Sequence, residues 1–232
     1  MRRLLGAALA LLPLGSSTRA DEPAWFREAV WYQIFPERFC NGDRGNDPTV
    51  ESLEGTWPYL QPSGWHVRDW GSDWYAPSEW ELDNGKGFYV NAQMRRYGGD
   101  LQGIWERLDH LEALGVNALY LNPVFESPSL HKYGARFYHH IDRHFGPSPE
   151  DDATRWADED PADPSTWVWT AADRLFLQLV AECHRRGIRV IIDGVFNHVG
   201  IPFWALERAC GWSRLRRRPG ASAAGKVRFS ST

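Results

Sequence analysis

Three short segments of the chain carry the apolar pattern of β-strands. Residues 30–35 are rich in β-branched and aromatic residues and end at Pro36, and residues 117–121 end at an Asn-Pro turn. Residues 188–192 form a nearly continuous apolar run, which is typical of a strand buried on both faces. The pattern therefore predicts three strands that are widely separated along the chain.

An amphipathic helix is predicted between the first two strands. Asp100 is a suitable residue to cap its start, and Gly115 is a suitable residue to end it. Four apolar residues recur at helical spacing on its predicted buried face: Ile104, Leu108, Leu111 and Leu114.

A second helix is predicted between the second and third strands. Thr170-Ala-Ala-Asp173 resembles a capping box at its start, and Gly187 marks its end. Its inward face is expected to carry Phe176, Leu179, Val180 and Cys183.

The order strand, helix, strand, helix, strand predicts parallel βα units. Residues 40–99, rich in Gly, Pro and Trp, follow the first strand and include a possible short strand at 88–90; a long polar loop to Trp169 follows the second strand. Both loops emerge at carboxyl ends of strands, where α/β barrels place their chemistry. We expect an α/β fold: a partial TIM (β/α)8 barrel of about three βα units with long βα loops. A Rossmann-type sheet is the alternative, but no Gly-rich phosphate turn follows a predicted strand.

Residues 1–20 are predicted to be a signal peptide. Arg2 and Arg3 precede an apolar stretch, and small residues lead to Ala20. The apolar stretch is shorter than the roughly 20 residues that a bilayer-spanning helix needs, so we expect no membrane span. A secreted or periplasmic location follows, whereas the alternative is an N-terminal helix of the fold.

Residues 207–232 contain a basic cluster followed by Ala, Ser and Gly, without apolar periodicity. Such a segment is predicted to be disordered. Because it stands where a fourth βα unit is expected, a truncated or frameshifted reading frame is the favoured interpretation, and a basic tail for an anionic partner is the alternative. The predicted catalytic-type domain is therefore residues 21–206.

Composition narrows the function classes. The chain has 13 Trp among 232 residues, which suits either stacking on sugar rings or a Trp-rich core. A net charge of −4 gives no sign of nucleic-acid binding. The charged residues at 158–160 are expected to be solvated. The cysteines and the clustered histidines lack the spacing of a metal site; these residues are Cys40, Cys183, Cys210, His139, His140 and His144.

The segment Asp193-Gly-Val-Phe-Asn-His198 ends the third predicted strand. An acid, an amide and an imidazole at that position can bind hydroxyl groups, and the alternative is an ordinary polar turn. The pattern D-x-V-x-N-H after an apolar strand resembles the first signature region of glycoside hydrolase family 13, the α-amylase family.

Other segments resemble the same family in the same order. Val30-Trp-Tyr-Gln-Ile-Phe-Pro-Glu-Arg-Phe39 is similar to its opening strand, and Tyr97-Gly-Gly-Asp-Leu-Gln-Gly-Ile104 to the start of its first barrel helix. Asn122-Pro-Val-Phe-Glu-Ser-Pro128, followed by 131–133 and 141–146, resembles the neopullulanase and cyclomaltodextrinase branch. The resemblance covers roughly residues 29–206.

The resemblance implies a sugar subsite next to the cleaved bond. His198 would bind sugar hydroxyls, Tyr133 would stack on the ring, His131 would lie on the same loop, and Asp193 would support the hydrogen bonds. Relatives in this branch usually carry Asp after the stacking tyrosine, whereas Gly134 stands here.

The resemblance also implies a calcium site. The loop residues Asn41, Asp43, Asn46 and Asp47 match a calcium loop of cyclomaltodextrinase-like members, completed by the Gly98 carbonyl and Asp100. Carboxylate, amide and carbonyl oxygens are the ligands that Ca²⁺ takes. By spacing alone the interpretation is an Asn/Asp/Gly turn with Asp100 as a plain helix cap.

The implied activity is hydrolysis of α-1,4-glucosidic bonds in starch, maltodextrin or cyclodextrin with retention. The family's catalytic carboxyls follow later strands, so no catalytic residue is assigned and the chain is expected to be inactive alone. The alternative is a non-catalytic carbohydrate- or calcium-binding protein. Substrate preference, hydrolysis against glycosyl transfer, and oligomeric state stay open.

Overall fold

The computed structural model describes residues 23–210, apart from the side chains of Glu207, Ala209 and Cys210. The predicted signal peptide (1–20) and most of the predicted tail (207–232) lie outside the described residues. The three strands are β1 (Trp31–Ile34), β2 (Ala118–Leu121) and β3 (Arg189–Ile192). The α-helices are α1 (Ala24–Arg27), α2 (Pro36–Phe39), α3 (Glu79–Asp83), α4 (Phe88–Met94), α5 (Leu101–Glu106), α6 (Leu108–Ala113), α7 (Pro149–Arg155), α8 (Ala171–Arg185) and α9 (Trp204–Cys210).

The strands form one parallel sheet in the order β1-β2-β3, as the sequence predicts. Trp31 pairs with Ala118, and Ala118 pairs with Arg189. The two crossovers run through α5–α6 and through α8. The carboxyl ends of all three strands therefore meet at one edge, and the long loops 40–99 and 122–170 both leave from that edge.

The core lies between the sheet and the helices α5, α6 and α8. Leu101, Ile104, Leu108 and Leu111 are fully buried there with Leu179 and Cys183 of α8. The capping box at Thr170 and Asp173 is present, since each side chain accepts the backbone N–H of the other residue. Both predicted helices are thus confirmed on their main packing faces.

Leu114 is 54% exposed, so its predicted place on the buried face is wrong. Gly115 adopts a positive φ of 76°, and the N–H of Val116 reaches back to the carbonyl of Leu111. In this turn the residue after glycine packs against the helix. Val116 is accordingly buried, and it takes the core position that the spacing assigned to Leu114.

The short strand predicted at 88–90 is wrong, because these residues begin helix α4. The Asn91 amide donates to the carbonyls of Glu81 and Lys86, which holds α4 against α3. Met94 at the end of α4 is buried with Leu53 and Trp80 in a small second core.

The expected burial of the third strand on both faces is also wrong. Arg189 and Ile192 are exposed, whereas β2 is almost wholly buried. The reason is position: β2 has a strand on each side, and within residues 23–210 β3 pairs only with β2.

The predicted tail boundary at residue 206 needs a small correction, because α9 continues to Cys210. Arg208 forms an ion pair with Asp160 at 2.9 Å and lies over the Trp204 ring. Across the described part of the chain, no helix is both long enough and apolar enough to cross a bilayer.

Candidate functional site

A shallow cavity of about 410 Å³ lies along one face of the sheet and reaches its carboxyl end. It is lined by Trp31 and Gln33 of β1, Tyr120 of β2, Asp193 after β3, and Tyr133 from the loop after β2. The Tyr133 hydroxyl donates a hydrogen bond to Asp193 Oδ2 at 2.7 Å. Two residues that the sequence placed in one subsite, 60 positions apart, are therefore in direct contact.

Lys132 explains why Tyr133 faces the cavity. It adopts a positive φ of 58°, which is uncommon for a residue with a side chain. Its buried ammonium group donates to the carbonyl of Ser127 at 2.9 Å and to Asp142 Oδ2 at 2.7 Å. The ion pair anchors the turn from inside, and the next residue is turned outward.

His131 lies beside Tyr133, with the two ring centroids 5.5 Å apart. Its Nδ1 accepts the backbone N–H of Tyr133 at 3.1 Å, so the proton of the neutral ring is on Nε2. Burial lowers the pKa of His131, and the positive charges of Arg96, Lys132 and His198 lower it further. At neutral pH His131 therefore presents a neutral Nε2–H donor.

His198 is exposed, and it lies close enough to His131 to affect the pKa of that imidazole. Its turn is held by Tyr138, whose hydroxyl donates to the carbonyl of Val195 and lies 3.3 Å from the carbonyl of His198. The structure thus brings Tyr133 and Asp193 into contact, sets His131 next to them, and leaves His198 as an exposed side chain near His131.

Gly134 is part of the contact between the two loops. A Cβ at Gly200 would lie 2.3 Å from the Gly134 carbonyl, so the chain needs glycine at Gly200. The N–H of Gly200 donates to Ala135 at 3.1 Å, and the N–H of Trp204 donates to Arg136 at 3.1 Å. These bonds fasten the loop after β3 along the loop that carries Tyr133.

Sequence reasoning missed three cavity residues: Trp31, Gln33 and Tyr120. Gln33 donates to Asn122 Oδ1 at 2.7 Å. Burial and the hydrogen bond to Asp193 raise the pKa of Tyr120. The hydrogen bond to Asp193 raises the pKa of Tyr133 to about 12. Alternation along β1 and β2, with a glutamine in an otherwise apolar strand, is the signal that would have found them.

The predicted calcium residues converge on Asp100. Its carboxylate accepts the N–H groups of Gly42 at 3.2 Å, Asp43 at 2.8 Å and Gly103 at 2.6 Å. It also accepts the side-chain amide of Asn46 at 3.1 Å. Asp100 therefore caps α5 and ties the loop 41–47 to this helix. The interpretation of Asp100 as a helix cap is confirmed as one of its roles.

The other predicted ligands form a second group beside the first. Asn41 Nδ2 donates to Asp47 Oδ1 at 2.7 Å, and a Cβ at Gly98 would meet both of these atoms at 2.3 Å or less. Asp43 instead accepts the N–H of Gly45 at 2.8 Å. Burial raises the pKa of Asp47, and the charges of Asp100 and Asp43 raise it further.

Two oxygens in this loop fit a cation. Asn41 Oδ1 and Asn46 Oδ1 are buried and have no hydrogen-bond partner among the described residues. An unpaired buried oxygen is costly, and a cation would relieve that cost. Two such oxygens beside two carboxylates whose pKa values are raised by burial are a donor set for a hard cation such as Ca²⁺.

Known proteins resemble this chain over most of its length. Residues 33–158 match the alpha-amylase catalytic domain. A cyclomaltodextrinase from Bacillus sp is 39% identical over 181 residues, which is 78% of this chain and 22% of the relative. Neopullulanase 2 from Thermoactinomyces vulgaris is 39% identical over 188 residues, 80% of this chain and 22% of the relative. The chain thus spans about a fifth of the length of these curated relatives.

A solved structure supports the same fold. The cyclic alpha-maltosyl-(1→6)-maltose hydrolase from Arthrobacter globiformis, in complex with maltose, has a TM-score of 0.53 and 33% identity. The match covers 87% of this chain and 31% of that protein. The three-stranded parallel sheet is consistent with part of an α/β barrel. On the matched residues, this chain belongs to the alpha-amylase catalytic domain family.

Proposed function

We propose that this chain supplies the sugar-binding side of an α-glucan hydrolase, with α-1,4-linked glucose chains as the substrate class. The contact between Tyr133 and Asp193 carries the proposal. It closes one wall of a cavity at the carboxyl end of the sheet, where α/β barrels build their sites. The three strands would be the first three of a (β/α)8 barrel.

The lining residues suit a glucose ring. An aromatic face such as that of Tyr133 packs on the apolar C–H face of the sugar, and polar groups around it fix the hydroxyls. Asp193 supplies acceptor oxygens, and His131 supplies a neutral Nε2–H donor. His198, exposed and close to His131, is the third hydroxyl-binding group.

The bond-breaking chemistry needs groups other than the cavity residues. A retaining glycosidase uses two carboxyl groups about 5 Å apart. Among the described residues that line the cavity, Asp193 is the one carboxylate, and it is engaged by Tyr133. We therefore expect this chain on its own to bind α-glucan without hydrolysing it.

Calcium is part of the proposal. Asn41, Asp43, Asn46, Asp47 and Asp100 would hold the ion with the carbonyl of Gly98, and the unpaired oxygens of Asn41 and Asn46 support this. The ion would neutralise the clustered carboxylates and stiffen the loop after β1. Export to the periplasm or the cell exterior is proposed from the pattern of residues 1–20.

The proposed function is tested by calorimetric titration of the purified chain. We expect saturable binding of maltotriose and little binding of cellotriose, whose β-linkages present the rings differently. Incubation with maltodextrin or cyclodextrin should release no reducing sugar. Release of reducing sugar would overturn the expected inactivity, and absence of maltotriose binding would overturn the proposed sugar site.

A further inference from the structure

Two histidines and a glutamate meet in the loop after β2, away from the cavity at the sheet edge. The ligand atoms of His139, His140 and Glu159 all lie within 4.8 Å of one another. Glu159 Oε2 is 3.3 Å from His139 Nε2 and 2.8 Å from His140 Nε2. No role was predicted for these residues, because a neighbouring pair of histidines and a charged loop lack the spacing of a metal site on a helix.

The cluster is buried. The side chains of His139, His140 and Glu159 are 5%, 1% and 3% exposed. Glu159 was expected to be a solvated loop charge, and that expectation is wrong. A carboxylate removed from water needs a compensating positive charge, either a protonated imidazole or a bound cation.

A second set of contacts orients two of the three side chains, His140 and Glu159. Asp173 Oδ2 lies 2.7 Å from His140 Nδ1, which leaves Nε2 directed at Glu159. Glu159 Oε1 accepts the N–H of Val168 at 2.5 Å, which leaves Oε2 directed at the imidazoles. A carboxylate behind a histidine is the usual outer partner of a metal-bound imidazole.

Aromatic rings enclose the imidazoles. His139 stacks on Trp167 with ring centroids 4.3 Å apart, and His140 stacks on Trp156 with centroids 5.4 Å apart. Phe137 packs edge-on against both His140 and Trp156. This shell excludes water and fixes the ring planes, two conditions that favour metal binding over loose hydration.

We propose that His139, His140 and Glu159 bind one zinc-class divalent cation, which fastens two distant parts of the loop after β2 to each other. Two imidazoles and a carboxylate form a three-ligand set that suits Zn²⁺ and leaves a fourth position for water. Tetrahedral ligands about 2.0–2.1 Å from zinc lie about 3.3 Å apart. His139 Nε2 already has this separation from Glu159 Oε2, whereas His140 Nε2, now hydrogen-bonded to the same oxygen at 2.8 Å, would move outward to admit the ion. The hard-oxygen loop at 41–47 is a separate site of different donor type.

The test uses the full chain without an affinity tag, stripped of metal and titrated with Zn²⁺ or Co²⁺ alone in the presence of excess Ca²⁺. We expect one Zn²⁺ per chain and visible d–d absorption of tetrahedral Co²⁺. His139→Gln and Glu159→Gln should abolish both signals, and Asp173→Asn should weaken Zn²⁺ affinity by about 10–100-fold. His184→Gln, an exposed histidine on α8, is the matched control and should leave binding unchanged.

Circular dichroism of each metal-free variant separates lost binding from lost folding. His139→Gln is the gentlest variant, since the one hydrogen-bonding partner found for this imidazole among the described residues is Glu159. A folded His139→Gln chain that binds Zn²⁺ as the parent does would overturn the proposal. So would a parent chain without stoichiometric Zn²⁺ binding, in which case His140 is an imidazolium that bridges Glu159 and Asp173.

Discussion

The loops after β1 and β2 are each held by a buried aspartate, but the groups around the two aspartates differ. Each runs from the carboxyl end of a strand and returns to a buried aspartate at the start of a helix, Asp100 for α5 and Asp173 for α8. Asp100 gathers three backbone N–H groups and the amide of Asn46. Asp173 gathers the N–H groups of Ile141 and Thr170 and the imidazole of His140.

The difference in donors separates the chemistry of the two loops. Around Asp100 the spare atoms are oxygens, and such a set prefers a hard cation. Asp173 is bonded to His140, and the ligand atoms grouped there include two imidazole nitrogens; such a set prefers zinc. A buried aspartate in the first turn of a helix thus holds an oxygen-rich loop in one case and a nitrogen-rich loop in the other.

Replacing Asp100 should have the largest effect. Asp100→Ala leaves the N–H groups of Gly42, Asp43 and Gly103 without their acceptor inside the fold. We expect a loss of about 3–5 kcal/mol in the free energy of unfolding, measured by urea denaturation. Asp69→Ala, at an exposed ion pair with Arg44, should change it by less than about 1 kcal/mol. Equal losses in both variants would contradict the role of Asp100.

Asp173→Ala should cost somewhat less, about 2–4 kcal/mol in the same measurement. It removes one of the two bonds of the capping box of α8, the one from the Thr170 N–H, and leaves the N–H of Ile141 and one nitrogen of His140 unpaired. Because the two aspartates share no hydrogen-bond partner, the double variant should lose the sum of the two single losses. A double variant far from additive would mean that the two loops are coupled.

Calcium should stabilise the loop after β1. At a Ca²⁺ concentration 100 times the dissociation constant, the free energy of unfolding should rise by about 2.7 kcal/mol. Asp47→Asn should remove most of this gain, because it removes a carboxylate beside Asn41 and Gly98. His139→Gln is the control in the other loop and should keep the full gain. A calcium effect that survives Asp47→Asn would place the ion elsewhere.

The stability of the metal-free chain should fall as pH rises from about 4.5 to about 7. Burial raises the pKa of Glu37 to about 7, so the folded chain holds a proton there that the unfolded chain releases near its ordinary pKa of 4.5. In that window unfolding releases a proton, and stability therefore decreases with pH. Glu37→Gln should flatten the slope by about 1–2 kcal/mol in urea denaturation at pH 5 and pH 8. An unchanged slope would contradict the assignment to Glu37.

The sequence predicted the repeating parts of the fold well, because periodicity, caps and glycine stops are local. The strands, the packing faces around Leu108 and Leu179, and the capping box at Thr170 are confirmed. The predictions for Leu114 and for residues 88–90 were wrong, because contacts outside the local pattern decided both. The turn that buries Val116 displaced Leu114 from the core, and the amide of Asn91 holds the helix that contains residues 88–90.

The candidate site was predictable only through resemblance. Tyr133 and Asp193 are 60 positions apart, and nothing local in the sequence indicates their contact. The cluster of His139, His140 and Glu159 was not predicted from the sequence, because its ligands come from an irregular loop rather than from one helix face. Gln33 and Tyr120 were hidden in strands that were expected to be core.

The sugar site is tested most directly by maltotriose binding to Tyr133→Ala, compared with the parent chain by titration calorimetry. Tyr89→Ala is the matched control, because Tyr89 is 84% exposed and lies on α4. If Tyr133 forms the wall on which the glucose ring stacks, Tyr133→Ala should weaken binding at least about 10-fold, and Tyr89→Ala should match the parent. Equal affinity in the parent and Tyr133→Ala chains would contradict the account.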